Sequence, residues 1–156
     1  MRETEDHEVE FVTFHVKDSF LGVDTGKVRE IISDMNMTEV PHAPSHVRGI
    51  MNLRGEIVTV IDLSVKLGHG PTEITPETCH VVLAGEEPVA LLVDRIGDVV
   101  RDAASGIEPP PVNVTQAEAE LFEGVLKREN ELLTLLRVDE VLRVEESKDQ
   151  MSVLAP

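Results

Sequence analysis

Short runs of alternating apolar and polar residues, broken by turn formers, set the reading of this chain. Glu10-Phe11-Val12-Thr13-Phe14-His15-Val16 is rich in aromatic and β-branched residues and predicts a strand. Asp18-Ser19 makes a turn, and Phe20 to Asp24 starts a second strand. Thr25 can cap a short helical turn through Lys27-Val28-Arg29-Glu30. Thr38 to Pro41 reads as extended, and Pro44 with Ser45 opens one helical turn through His46-Val47-Arg48. Ile50 to Leu53 and Glu56 to Ile61 predict a hairpin over Arg54-Gly55, where Gly55 supplies the positive φ of a tight turn. Leu63 to Leu67 reads as a short helix stopped by Gly68.

After a breaker-rich link from Gly68 to Thr78 a second set of strands begins. Cys79 to Leu83 is the first, and Val89 to Val93 continues toward Val100. Pro109-Pro110-Pro111 is excluded from a sheet interior. Gln116 to Glu120 suits a helical turn. Phe122 to Leu126 and Glu131 to Leu136 predict a second hairpin over Lys127–Asn130, and Asp139 to Val144 a short terminal helix. Residues 1–8 and 147–156 read as flexible ends.

The pattern repeats. Residues 49–67 slide onto 124–142, matching Gly49 with Gly124, Glu56 with Glu131, Thr59 with Thr134 and Leu67 with Leu142. Apolar Ile57, Val58, Val60 and Ile61 fall on Leu132, Leu133, Leu135 and Leu136. At the turn, Gly55 meets Asn130, the next residue most at ease in a left-handed conformation. Upstream, Leu21-Gly22-Val23-Asp24 parallels Leu91-Leu92-Val93-Asp94. Two halves of like plan, built from many short strands, predict two small β-barrels side by side. Barrels this small bury little alone, so a shared apolar interface is expected, with Phe11, Phe14 and Phe122 as candidates.

Composition narrows the function. Among 156 residues, 30 acidic side chains against 14 basic ones give a net charge of −16, which disfavours phosphate backbones and anionic membranes as partners. With no Trp, no Tyr and four Phe, base-stacking platforms and aromatic cages are out of reach. One cysteine, Cys79, builds no disulfide framework, and its apolar strand marks an inert core thiol. The acidic start is unlike a secretory signal, and no apolar run approaches the ~18 residues of a membrane helix. The expectation is a cytoplasmic protein.

Candidate chemistry is sparse. Gly22 to Val28 superficially resembles a phosphate loop, but three residues separate its glycines, and Val28 stands where a Ser or Thr must hold magnesium. His42 and His46 are four apart, yet Pro44 between them blocks a regular helix. No Ser nucleophile elbow is present, so neither catalysis, metal nor cofactor is expected. Arg54 differs: the hairpin asks for Gly or Asn at its second turn position, not for an arginine before it, and the repeat places Glu129 there. A lone arginine at an exposed tip of an acidic protein suits partner binding, alongside the plainer reading of a solvated turn.

The stretch Val40-Pro41-His42-Ala43-Pro44-Ser45-His46-Val47-Arg48-Gly49-Ile50-Met51-Asn52-Leu53-Arg54-Gly55-Glu56-Ile57-Val58-Thr59-Val60-Ile61-Asp62-Leu63 resembles the signature of the CheW family of chemotaxis coupling proteins. So do Gly26 to Ile31, Leu92 to Val99 and the Pro109-Pro110-Pro111 run, so that the likeness spans about residues 9–144. The resemblance implies two five-stranded, SH3-like barrels in one domain, one over about 15–67 and the other over about 78–137 with the first strand shared. It implies no enzyme, but an adaptor docking on the regulatory domain of the histidine kinase CheA and on the cytoplasmic tip of chemoreceptors. Weak self-association or ring assembly in receptor arrays at the membrane goes with it. The same domain occurs inside CheA and CheV-type proteins; without phosphotransfer, ATP-binding or receiver segments here, the stand-alone adaptor is favoured. By the resemblance, Val28 and Glu30 match contact positions for receptor or kinase. Gly49 and Arg54 match hairpin positions tied to coupling, with Asn52, Leu53 and Gly55 of the same turn. Ile96 and Val99 match apolar positions of the groove between barrels.

Overall fold

The computed structural model describes residues 6–111 and 116–142; the expected flexible tail at 147–156 lies outside them, as do residues 1–5 of the expected N-terminal end. Among the described residues, ten strands form two five-stranded antiparallel-rich sheets. They are β1 (Glu8–Val16), β2 (Ser19–Asp24), β3 (Val28–Ile32), β4 (Val47–Leu53), β5 (Glu56–Asp62), β6 (Cys79–Leu83), β7 (Val89–Val93), β8 (Arg95–Ala103), β9 (Phe122–Lys127) and β10 (Leu132–Leu136). Helix α1 (Leu63–Lys66) follows β5, α2 (Gln116–Leu121) precedes β9, and residues 138–142 make a helical turn after β10.

One sheet runs β8-β1-β2-β10-β9 and the other β3-β6-β7-β5-β4. The orders match strand for strand: each sheet takes two strands from one half of the chain and three from the other. We call them barrel A, which holds β1, and barrel B, which holds β4 and β5. The halves suggested by the repeat are therefore real but exchange strands, and the boundaries at 15–67 and 78–137 do not divide the barrels. The chain crosses between sheets at residues 24–28 and at Asp94, and the strand expected from Val89 toward Val100 is broken there into β7 and β8, in different sheets. Asp94 fixes the crossing: its N–H donates to the His15 carbonyl (2.9 Å) and its carboxylate accepts from the Lys17 N–H (2.6 Å).

Two helical expectations give way to strand. Residues 25–27 form a 3-10 turn capped by the Asp24 carboxylate, which accepts from the Gly26 N–H at 2.8 Å, rather than by Thr25. Val28 then enters β3, because its β-branched side chain and those of Ile31 and Ile32 fit the ladder with β6 better than another helical turn. Likewise Val47 and Arg48 begin β4, and the turn before them ends with the Val47 N–H on the Pro44 carbonyl (3.0 Å).

Alternation along each strand splits the core into three parts. Val12, Phe14 and Val16 of β1 face the other barrel with Val23, Ile61, Val81, Leu91, Phe122 and Leu136. Barrel B is filled by Met51, Val58, Val60, Val82, Ala90 and Leu92, and barrel A by Phe11, Val100, Leu126, Leu133 and Leu135. Phe14 and Phe122 thus lie at the interface as expected. Phe11 does not: its odd position turns it into barrel A.

The repeated glycine has a steric cause. A Cβ on Gly49 would stand 2.6 Å from the Thr38 carbonyl oxygen, and one on Gly124 2.7 Å from that of Glu108. At each site the loop backbone bridges the outer strand, Thr38 to Ile50 and Glu108 to Val125. Alanine at either position is expected to cost about 1–3 kcal/mol in urea denaturation, as overpacking against backbone does; an unchanged midpoint would refute the close approach.

His80 is fully buried on β6, opposite Ile32 and Leu92, and neither ring nitrogen has a hydrogen-bond partner. Burial lowers its pKa from the ordinary 6.5, with the nearby Asp34 charge opposing in part. The unfolded chain therefore binds the proton more readily than the folded one. Stability falls as pH drops below 6.5 toward the lowered folded value. The expected outcome is that the loss of urea stability between about pH 7 and about pH 5.5 is smaller in His80→Leu than in the wild type; equal losses would exclude this origin.

Candidate functional site

The hairpin of β4 and β5 closes with Leu53 opposite Glu56, leaving Arg54 and Gly55 as a two-residue turn. Both have positive φ, 52° and 86°, the requirement of a type I′ turn. The Asn52 side-chain carbonyl accepts from the Gly55 N–H at 2.9 Å and fixes the turn. Asn52 and Gly55 thus shape the tip, and Leu53 packs partly against the interior of barrel B. The other hairpin differs. Neither Glu129 nor Asn130 has positive φ, so Asn130 is not the left-handed counterpart of Gly55. Its turn ends instead with the Arg128 N–H on the Glu131 carbonyl (2.8 Å). Glu129 is therefore no precedent for a glutamate at Arg54.

Nor is Arg54 alone. Its guanidinium bonds the Glu30 carboxylate on β3. Arg29 spans the same gap, with Nη1 2.9 Å from Glu56 Oε1 and Nε 3.6 Å from Glu30 Oε2. β3 and β4 are the two outer strands of their sheet, so these four side chains of alternating charge close the barrel mouth. Barrel A uses the same device: Arg128 reaches Asp102 at 3.2 Å, and Lys127 reaches Glu108 at 3.4 Å. The reading of Arg54 as having no role in the fold is thereby corrected. A left-handed arginine costs about 1 kcal/mol that asparagine or glycine would largely avoid. Its long guanidinium is what reaches Glu30. At 63% side-chain exposure, against 24% for Glu30, it also faces solvent.

The remaining predicted residues divide. Gly49 is buried and serves the backbone approach at Thr38, with no surface to offer. Val28 is half-buried against the interface cluster. Ile96 and Val99 stand on β8 of the other sheet, 39% and 53% exposed. They lie opposite Phe14 and Val12, so they share the face that packs between the barrels and project beyond it. β3 is placed in its sheet as β8 is in its own. Val28 lies opposite Leu83, and Ile31 opposite Val81. Val28 and Ile31 thus hold the places on β3 that Ile96 and Val99 hold on β8. Ile31, 42% exposed, belongs with this apolar strip but was missed, since a helical reading through Glu30 gives it no sheet face.

Two buried side chains that could carry chemistry are committed to the fold. Cys79 is buried and its thiol pKa is raised by desolvation, so it stays protonated. Asp62, 1% exposed, is spoken for by Arg48 (2.9 Å), the Ser64 and Thr72 N–H groups and the Thr72 hydroxyl. Among the described residues no three His, Cys, Asp or Glu side chains gather as a metal site, and no helix is long and apolar enough to cross a membrane.

Paired SH3-like barrels with charged mouths and apolar edge strands define a docking scaffold. Comparison with known proteins names the kind. The family model of the CheW-like domain matches residues 10–146. A chemotaxis protein CheW of Rhizobium meliloti is 34% identical over 88% of this chain and 89% of its own length. That of Bacillus subtilis is 31% identical, with 88% of each chain covered. The scaffolding protein TtCheW from Thermoanaerobacter tengcongensis superposes with a TM-score of 0.77 at 27% identity, over 88% of this chain and 90% of that one. The chain belongs to the CheW family of chemotaxis scaffold proteins.

Proposed function

We propose that residues 9–144 act as one adaptor domain that couples the cytoplasmic tips of chemoreceptors to the regulatory domain of the histidine kinase CheA, within arrays at the membrane. The observation that carries this reading is the place of four apolar residues on the outer strands, half-buried Val28 and exposed Ile31, Ile96 and Val99. Val28 and Ile31 on β3, and Ile96 and Val99 on β8, extend the interface face beyond the point where the barrels cover each other. A receptor tip is a helical hairpin, and an apolar strip along sheet edges receives one face of a helix. The Glu30–Arg54 pair lies on β3 and the adjoining hairpin, so the strip and the charged tip share a strand. Arg54 offers outward-facing donors that a partner carboxylate or carbonyl can take without dismantling the pair.

Contacts of this kind are individually modest, on the order of 800 Å² per partner or less, and array multivalency supplies the rest. Coupling further requires that the kinase's on and off states touch the adaptor differently, since uniform tethering shifts no equilibrium. The proposed coupling asks no chemical step of this chain.

Two outcomes are expected. Arg54→Glu places a second carboxylate beside Glu30. It lowers both the melting temperature and receptor-controlled kinase activity in a reconstituted assay. Adding Glu30→Arg restores the melting temperature but not the coupling. Full coupling in the single variant would remove Arg54 from the contact, and coupling restored with stability would reduce the pair to a structural clamp. Ile31→Asp, at an already exposed position, leaves melting nearly unchanged and weakens co-sedimentation with a receptor fragment about tenfold or more. Unchanged co-sedimentation would take Ile31 out of the strip.

A further inference from the structure

The two barrels are closed by the same device but with different side chains. In each, a loop backbone pairs with the first strand of the closing hairpin. Thr38 and Ile50 exchange N–H to carbonyl bonds of 2.8 and 2.9 Å, and Glu108 and Val125 exchange two of 2.8 Å. Thr38 and Glu108 are therefore counterparts, and so are the residues just before them, Met37 and Ile107. Each packs, partly buried, against the interior of its own barrel. Barrel A is closed there by a branched hydrocarbon, barrel B by a thioether.

Met37 has company. Met35 packs on the same interior, also partly buried, and Met51 lies within it, 5% exposed. All three methionines of the described residues thus gather on barrel B, while the barrel A cluster holds none. Cys79, the one thiol, is buried between the barrels. Among the described residues, Met35 and Met37 are the sulfur-bearing side chains within reach of solvent.

The segment that carries them is thinly held. Between the end of β3 and Thr38 the chain joins no ladder, and its turn is fixed by the Asn36 N–H on the Asp34 carboxylate (3.0 Å). No ladder joins β3 to β4 either. Barrel B is closed along that edge by the Glu30–Arg54 pair and, on the way to Thr38, by Met35 and Met37. Leu53, beside Arg54, packs in the same cluster, so hairpin and segment share one support. A thioether is apolar and fills such a gap well. Its sulfoxide carries a strong S–O dipole, for which Val58, Val60, Val82, Ala90 and Leu92 offer no side-chain partner.

We propose that Met35 and Met37 are a peroxide-sensitive closure of barrel B: oxidation to methionine sulfoxide releases the Thr38 bridge and frees the β3–β4 edge, and reduction restores it. A sulfur lone pair attacks one oxygen of hydrogen peroxide. The O–O bond breaks as the S–O bond forms, and the other oxygen leaves as water with both protons. Sulfur gives up two electrons and peroxide takes them. The return step uses a dithiol, which becomes a disulfide as the sulfoxide oxygen leaves as water. The inference does not rest on the receptor and kinase contacts proposed above.

The test treats the full chain with hydrogen peroxide and reads it twice. Trypsin separates the methionines, placing Met35 and Met37 in residues 30–48, Met51 in 49–54, Met1 in 1–2 and Met151 in 149–156. Mass spectrometry is expected to find added oxygen in 30–48 while 49–54 stays reduced. Amide hydrogen exchange of the oxidised protein is expected to be about tenfold or more faster at Thr38 and Ile50, and unchanged at the matching Glu108 and Val125. Methionine sulfoxide reductases for both sulfoxide epimers return the starting rates. A protein with Met35→Leu and Met37→Ile, close in volume and giving barrel B the side chain of barrel A, is expected to show the same slow exchange before and after peroxide. An unreactive 30–48 would overturn the proposal, as would oxidation of 49–54 at the same rate. So would unchanged exchange at Thr38 and Ile50 after oxidation, which leaves the thioethers as gap fillers only, or equal acceleration in the double variant.

Discussion

The contact between the two barrels is the constraint on which everything else hangs. Among the described residues, eighteen buried side chains form the interface cluster, against six inside barrel B and five inside barrel A. The principal core therefore lies between the barrels rather than within them. A fully buried Val or Leu contributes about 1.5–3 kcal/mol, so neither barrel interior offsets the ordering of some sixty residues. Strand exchange makes the dependence mutual. Each sheet is completed by strands from both halves, and pulling the barrels apart would expose the interface and strain the crossings at residues 24–28 and Asp94. The two barrels are best regarded as one rigid frame.

That frame decides where function can sit. Central strands β1, β2, β6 and β7 are committed to packing on both faces. What remains available is at the margins: the outer strands β3 and β8 and the hairpin tips. Positions that face the interface from an outer strand are covered on one side only, so Ile31, Ile96 and Val99 are apolar and yet exposed. Their apolar character is the interface pattern continued past its edge, which gives an adaptor a preformed strip on a stiff support. The ion pairs at the barrel mouths serve both needs. They join outer strands that no ladder connects, and they keep charged groups poised beside the strip.

Much of this was legible in the sequence because it follows from local chemistry. The strands with clean alternation, the hairpin over Arg54-Gly55 and the repeat of Gly49 in Gly124 are all readable, and the repeat by itself implies two barrels. Strand exchange was not readable. A repeat shows that two halves are alike and is silent on which sheet each strand joins, and the deciding residue, Asp94, acts through bonds to His15 and Lys17 far away in sequence. The helical reading at 27–30 failed for a related reason. Asp24 does cap a turn over Thr25–Lys27, but the ladder with β6 then overrides the local signal. Glu30 and Arg54 were each singled out, yet their pairing across the barrel mouth could not be seen, since nothing in spacing brings residues twenty-four apart together.

The charge of the molecule takes on a different meaning once the pairs are placed. A net charge of −16 repels other acidic surfaces, and a partner-binding face would suffer from it if the acidity were spread evenly. At the barrel B mouth it is not. Arg29, Glu30, Arg54 and Glu56 balance one another, so the hairpin tip and β3 form a locally neutral window in an acidic surface. The strip of Val28 and Ile31 borders that window, where an apolar face can dock with little charge penalty. The shared core holds that window and the strip beside it on one frame.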